Sequence, residues 1–200
     1  MDDTPNDDAK RSVDWSAGLV EQLSFHWEHL VRPHLDGLTD DEYLWEPVPG
    51  MWSVRPRATA RTNMAAGSGP LVVEFEHPEP APAPVTTIAW RLGHLIVGVL
   101  GARNASHFGG PPVDYATMQW PPTAAAALAR LDDEYATWIA GVAGLDAARL
   151  AAPVGPAEGD FAEYPYATLV LHINREMIHH AAEVLLLRDL YRARSGVTLS

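Results

Sequence analysis

An all-α helix bundle is the fold class this sequence predicts. Three observations point to it: four long stretches carry apolar residues at helical spacing, glycine and proline separate them, and the only β-prone run is short. The 200 residues are enough for one sizeable core and are read as a single domain, residues 1–200.

The first thirteen residues are polar and are expected to be disordered. From Asp14 to Leu35, the spacing of Leu19, Leu23, Trp27 and Leu30 predicts a first helix, which Gly37 stops. Thr39 followed by Asp40, Asp41 and Glu42 reads as an N-cap with an acidic first turn, opening a short helical piece through Trp45. No long period survives between Pro47 and Pro84, which predicts a long crossover loop between helices 1 and 2. Within it Leu71–Phe75 fits a short extended piece, with too little around it to build a sheet.

Thr86-Thr87 caps a second helix through Ile88, Leu92, Leu95, Ile96 and Val99 to about His107, where Gly109-Gly110-Pro111-Pro112 ends it. The third runs from Thr123 to Gly144, with Leu128, Leu131, Tyr135, Trp138, Ile139 and Val142 at packing positions. After a loop rich in Pro and Gly, the last helix extends from about Ala167 to Arg194, roughly 40 Å at 1.5 Å per residue.

Composition narrows the function. A formal charge of -12 and a pI near 5.0 argue against nucleic-acid binding, because the fourteen Lys and Arg form no basic cluster. No stretch approaches the roughly 20 apolar residues of a membrane span, and the start lacks the pattern of a signal peptide, so a cytoplasmic location is expected. The absence of cysteine excludes disulfides, thiolate metal sites and a cysteine nucleophile, leaving His, Asp and Glu to hold any metal.

The chemistry concentrates in Leu171–Glu183, where imidazoles and carboxylates interrupt an apolar helix. His172, Glu176 and His180 stand four residues apart, about 40° of rotation per step, and so form one column. Glu176 and His180 fall within the core-facing stripe of Leu169, Ile173, Val184 and Leu187 and are expected to be buried or nearly so. A buried carboxylate needs a cation, a donor network or a metal ion. By spacing alone, Glu176 and His180 fit an ion pair that closes on itself better than a metal site.

A metal needs donors from a second helix, and His94 is the candidate, lying between Trp90 and the glycines Gly98 and Gly101. Each glycine costs the helix about 1 kcal/mol relative to alanine, which points to close helix approach or to space for a ligand. His94 also fits a core histidine satisfied by a neighbour, as does His26 on the first helix. His179, one residue off the column, is expected to orient a ligand by hydrogen bonding, and His172 is the alternative ligand. His29, His34, His77 and His107 are expected at the surface or in loops.

Several of these patterns resemble a known family. Trp90-x-x-x-His94, Asn174-Arg175-Glu176-x-x-x-His180 with Ala182-Glu183, and Leu187-Arg188-Asp189-Leu190 resemble the DinB-like (DinB/YfiT) superfamily. So do His26–Leu30, Leu38–Tyr43, Glu46-Pro47 and Trp52–Arg55. The resemblance implies a four-helix bundle with a long crossover, commonly a homodimer, with a divalent ion between the second and fourth helices. By that resemblance His94, Glu176 and His180 are the ligands, with Glu176 where many members have histidine. In this it is similar to the metal-binding domain of mycothiol-dependent maleylpyruvate isomerases. Those proteins carry a further domain for which this chain offers no residues, so their particular reaction is not transferred.

Zinc or nickel is the expected ion, with mycothiol, bacillithiol or a similar thiol as cosubstrate. The implied function is a thiol S-transferase or thiol-dependent isomerase acting on a small molecule, with His26, Trp52, Arg55 and Trp90 as cavity residues. The alternatives are a non-catalytic metal-binding or stress-response module and a metal-dependent hydrolase.

Overall fold

A computed structural model describes residues 13–194. The expected disorder of residues 1–12 lies outside the described residues, and Val13 is exposed. Helix α1 spans Trp15–Phe25, its first turn closed by the Asp14 carboxylate, which accepts from the Ala17 N–H. The rod continues as a π-helical segment, His26–Val31, and a 3-10 turn, Pro33–Leu35. Leu19, Leu23, Trp27, Val31 and Leu35 are all buried. A strict repeat of four drifts off one face of an α-helix, and the wider turn, closed by Arg32 N to Trp27 O at 2.8 Å, brings Val31 back to the core. It also turns Leu30 outward to 44 % exposure, so Val31 occupies the place expected of Leu30.

Helix α2, Asp40–Tyr43, opens on a capping box in which Thr39 and Glu42 satisfy one another's backbone. The interval after it holds a sheet. Strands β1 (Val54–Pro56), β2 (Met64–Ala66) and β3 (Leu71–Phe75) pair antiparallel in the order β1-β3-β2, with Val73 opposite both Val54 and Ala66. The expectation of an all-α chain is corrected accordingly: the protein is mostly helical, at 59 % helix and 8 % strand, with a small sheet. Flanking strands of three residues, one ending in Pro56, are too short to show an alternating pattern. A buried carboxylate consolidates them, since Glu74 accepts from Ser53 N, Arg55 Nε and Arg61 N at 3.1, 2.7 and 2.7 Å.

Thr87 caps α3, Ile88–His94, by accepting from Trp90 N, and the rod runs on through a π-helical segment, Leu95–Gly101, into α4, Ala102–His107. Helix α5, Ala124–Ala143, runs from its N-cap Thr123 to Gly144. The following interval, expected as plain loop, contains the short helix α6, Ala147–Ala151, capped by Asp146, and a 3-10 stretch, Pro156–Phe161. Helix α7 spans Tyr166–Arg194.

Helix α1 packs on α5 and α7, and α3 with the π segment after it packs on the same two helices. Trp138 on α5, Leu23 on α1, Leu95 and Ile96 after α3, and Ile173 on α7 meet in the core this encloses. Strands β1 and β3 lie against α3, where the Trp90 indole N–H donates to Glu74 O at 2.9 Å and the rings of Trp52, Phe75 and Trp90 touch. No helix among the described residues is long and apolar enough to cross a membrane.

Candidate metal centre

The contact between α3 and α7 brings His94 to the polar column. His180 lies one turn beyond Glu176 on α7, and its Nε2 stands 3.3 Å from Glu176 Oε2. The His94 ring meets the His180 ring edge-on, with centroids 4.9 Å apart. One ligand atom from each of the three lies within 4.8 Å of the others. Two donors at about 2.0–2.1 Å on a tetrahedral ion stand roughly 3.3 Å apart, so the Glu176–His180 separation already suits a shared cation and His94 needs only to close in.

Each imidazole is held by its other nitrogen. His180 Nδ1 sits 2.7 Å from Glu183 Oε2, on the opposite edge of the ring from the Nε2 that faces Glu176. Arg91 fixes the Glu183 carboxylate through its Nε at 3.0 Å. His94 Nδ1 is 2.9 Å from the Tyr115 hydroxyl, and the His94 ring stacks on Trp90 at 5.5 Å. Burial, then the neighbouring His180 and Arg91, push the His94 imidazole down to about 4, so it is neutral at pH 7 with a lone pair to donate. Burial pushes the Tyr115 phenol up to about 12 and keeps its proton in place. Glu176, Glu183 and Arg91 together carry one net negative charge, which a divalent cation complements.

The two glycines have their explanation here. A Cβ on Gly98 would lie 2.4 Å from the Tyr115 hydroxyl and 3.0 Å from His94 Nδ1, so its absence makes room for their hydrogen bond. Gly101 likewise admits Val113, which a Cβ would approach to 2.7 Å. The segment around Tyr115 thus sits against the π turn that follows His94, a helix geometry that often marks functional positions.

The other residues singled out in the sequence are placed as follows. Glu176 is half-buried rather than buried, its side chain 29 % exposed. His172 is not one of the three converging residues; its Nδ1 is 3.7 Å from Glu176 Oε1 and 2.9 Å from Arg175 Nη2. The exposed His179 reaches the far oxygen of Glu183 at 3.5 Å, so the contact that holds His180 comes from Glu183 directly. Trp90 stacks on His94, and Trp52 lies one ring further out against Trp90.

Arg55 is engaged elsewhere, paired with Glu46 and Glu74 and donating to Met51 O. His26 stays on the π segment of the first rod, half-buried, with Nε2 lacking a hydrogen-bond partner and burial lowering its basicity. His29, His34 and His77 are exposed, but His107 corrects its expectation: its side chain is 5 % exposed and its Nε2 lies 2.9 Å from Glu158. Sequence reasoning missed Tyr115 and Arg91 and gave Glu183 only a supporting part, although the i, i+3 spacing of His180 and Glu183 was the available signal.

A family model of the DinB superfamily matches residues 71–184, more than half of the 200-residue chain. No curated protein and no solved structure matches it. The matched span contains His94, Tyr115, Glu176, His180 and Glu183, and the chain belongs to the DinB superfamily.

Proposed function

We propose that the protein is a divalent-metal-dependent enzyme acting on small molecules, with His94, Glu176 and His180 as ligands to zinc or nickel. The observation that carries this reading is the convergence of two imidazoles and one carboxylate from two packed helices. DinB superfamily members generally bind a metal, and this donor set is that of catalytic zinc sites, which leave a position open. An ion so held supplies Lewis-acid charge that favours ionisation of a thiol or water at neutral pH.

The chain's own residues fix the donors: Glu183 and Arg91 hold His180, while Tyr115 and Trp90 hold His94. The reaction proposed is S-transfer from a low-molecular-weight thiol such as mycothiol or bacillithiol, or an isomerisation assisted by one. The lack of any cysteine in the chain suits a thiol brought by a cosubstrate. A four-helix bundle of the DinB/YfiT type, a homodimer and a cytoplasmic setting belong to the same proposal.

Metal-loaded protein assayed with electrophiles and these thiols tests it. Thiol-dependent turnover that disappears in Glu176→Ala and His180→Ala is the expected result. Turnover of esters or amides without thiol would instead assign a hydrolase. A second reading, a metal-binding module without turnover, is favoured by the contacts of His180 with both Glu176 and Glu183, which form a set that closes on itself. A bound ion with a complete shell of protein donors and no turnover would select that reading.

A further inference from the structure

Next to the cluster, α7 borders a cleft of about 360 Å³, the lower end of the range for small-molecule sites (about 300–1,000 Å³). Its polar lining includes Arg103 from α4, Glu158, and Thr168, His172 and Arg175 from α7, and its apolar lining includes Leu169, Phe161 and Tyr164. In a chain of net charge -12, two guanidinium groups and an imidazole around one small cleft are an unusual concentration. The one acidic residue lining it, Glu158, is already matched by Arg103 at 3.3 Å and by His107 at 2.9 Å.

Two of the donors are incompletely used. Arg103 donates from Nη1 to Gly98 O at 2.6 Å and from Nη2 to Glu158 at 3.3 Å, and its buried Nε lacks a hydrogen-bond partner. Arg175 forms no ion pair among the described residues, its Nη2 meeting only His172 Nδ1 at 2.9 Å. The apolar side is open as well: Phe161 and Tyr164 meet edge-on at 5.8 Å with 64 % and 52 % exposure, leaving ring surface uncovered at the lip.

We infer that this cleft binds a small organic carboxylate, its anionic head held by Arg175, His172 and Arg103 and its apolar or aromatic body laid along Leu169, Phe161 and Tyr164. A planar carboxylate suits guanidinium donors, and the ring surface supplies the contact area that a free inorganic anion would not use. His172 joins the cleft to the cluster, since its Nδ1 lies 3.7 Å from Glu176. None of His94, Glu176 and His180 lines the cleft, so the bound acid lies beside the cluster, and its role there is that of a candidate substrate. That role rests on the proposed function, while binding itself requires only the cleft.

The test is calorimetric titration of 3-phenylpropionate and of its neutral amide, into zinc-loaded protein and into His180→Ala. The acid is expected to bind at least about tenfold more tightly than the amide, and Arg175→Gln to remove about tenfold of that affinity, the scale of one charge-assisted hydrogen bond. Arg175 is exposed, so this change does not threaten the fold. Binding that persists in His180→Ala supports the cleft, and it does so even if the wild type takes up no zinc, a result that would remove the metal reading alone. Equal affinity for acid and amide overturns the inference. So does acid binding that is lost in His180→Ala but unaffected by Arg175→Gln, which would put the carboxylate on the ion.

Discussion

Replacing Gly98 with alanine should stretch the hydrogen bond between Tyr115 and His94 without replacing either residue. The new Cβ would stand 2.4 Å from the Tyr115 hydroxyl, whereas carbon and oxygen in contact keep about 3.3 Å, so the hydroxyl must retreat by about 0.9 Å. Because the Cβ lies to the side of the line joining the hydroxyl to His94 Nδ1, this retreat opens the 2.9 Å hydrogen bond to roughly 3.3 Å, past its usual range. Folding stability should fall only modestly, by about 1 kcal/mol, because alanine adds about 1 kcal/mol of helix propensity while the crowding at 2.4 Å and the weakened hydrogen bond together remove about 2 kcal/mol.

Metal affinity should respond more strongly. Losing a partner that orients a ligand typically costs about 10- to 100-fold, or about 1.4–2.7 kcal/mol. Competition titration of zinc against a chromophoric chelator measures it, with urea unfolding in parallel. Tyr115→Phe should fall by a similar factor, and the double variant should lie within about threefold of Tyr115→Phe alone, because the hydroxyl is the atom the Cβ meets. A folded Gly98→Ala protein with undiminished zinc affinity would refute this role for the Tyr115 hydroxyl.

Three further outcomes follow from the same contacts. Glu183→Gln should lower zinc affinity by about tenfold, and His179→Ala by much less, because Glu183 contacts His180 Nδ1 at 2.7 Å while His179 reaches only the opposite oxygen; equal effects in the titration would contradict this. Glu42→Gln leaves the buried Arg188 guanidinium without its 3.1 Å carboxylate and should cost about 3–5 kcal/mol in urea unfolding. Burial pushes the Glu42 carboxyl up, but the Thr39 N–H and Arg188 outweigh it and hold it below the ordinary 4.5. Its stabilisation is thus present above about pH 4.5 and lost as pH falls through the lowered value, so wild type should lose its advantage over Glu42→Gln in acid; a constant gap would exclude that linkage. Gly141→Ala drives a Cβ to 2.3 Å from the Phe108 ring and should destabilise by about 1–3 kcal/mol despite the better helix propensity; an unchanged urea midpoint would show that Phe108 yields freely.

Helix starts were legible because caps are local chemistry: Thr39, Thr87 and Thr123 each accept a backbone N–H within three residues. Asp146 carries the same signal for α6, hidden by a helix of only five residues. The sheet was not legible, since its edge strands are too short for a period and depend on Glu74, which gathers donors from residues 53, 55 and 61. Nor were the π segments, whose register shift is decided by packing; the run Leu19, Leu23, Trp27, Val31 at a strict spacing of four was the only trace. Within the candidate site, Glu176 and His180 share a helix and can be read from their spacing, whereas His94 depends on α3 lying against α7. Tyr115 comes from a segment without periodicity, and its one imprint on the sequence is Gly98, whose missing side chain its hydroxyl approaches.

The central claim is that His94, Glu176 and His180 together hold one divalent ion. Equilibrium dialysis against zinc and nickel, read by elemental analysis, measures this in wild type and in His94→Ala, Glu176→Ala and His180→Ala, with circular dichroism to confirm that each variant stays helical. One ion per chain in the wild type, lost or greatly weakened in all three folded variants, is the expected result. A wild-type protein that binds neither metal, or variants that retain the full equivalent, would contradict it.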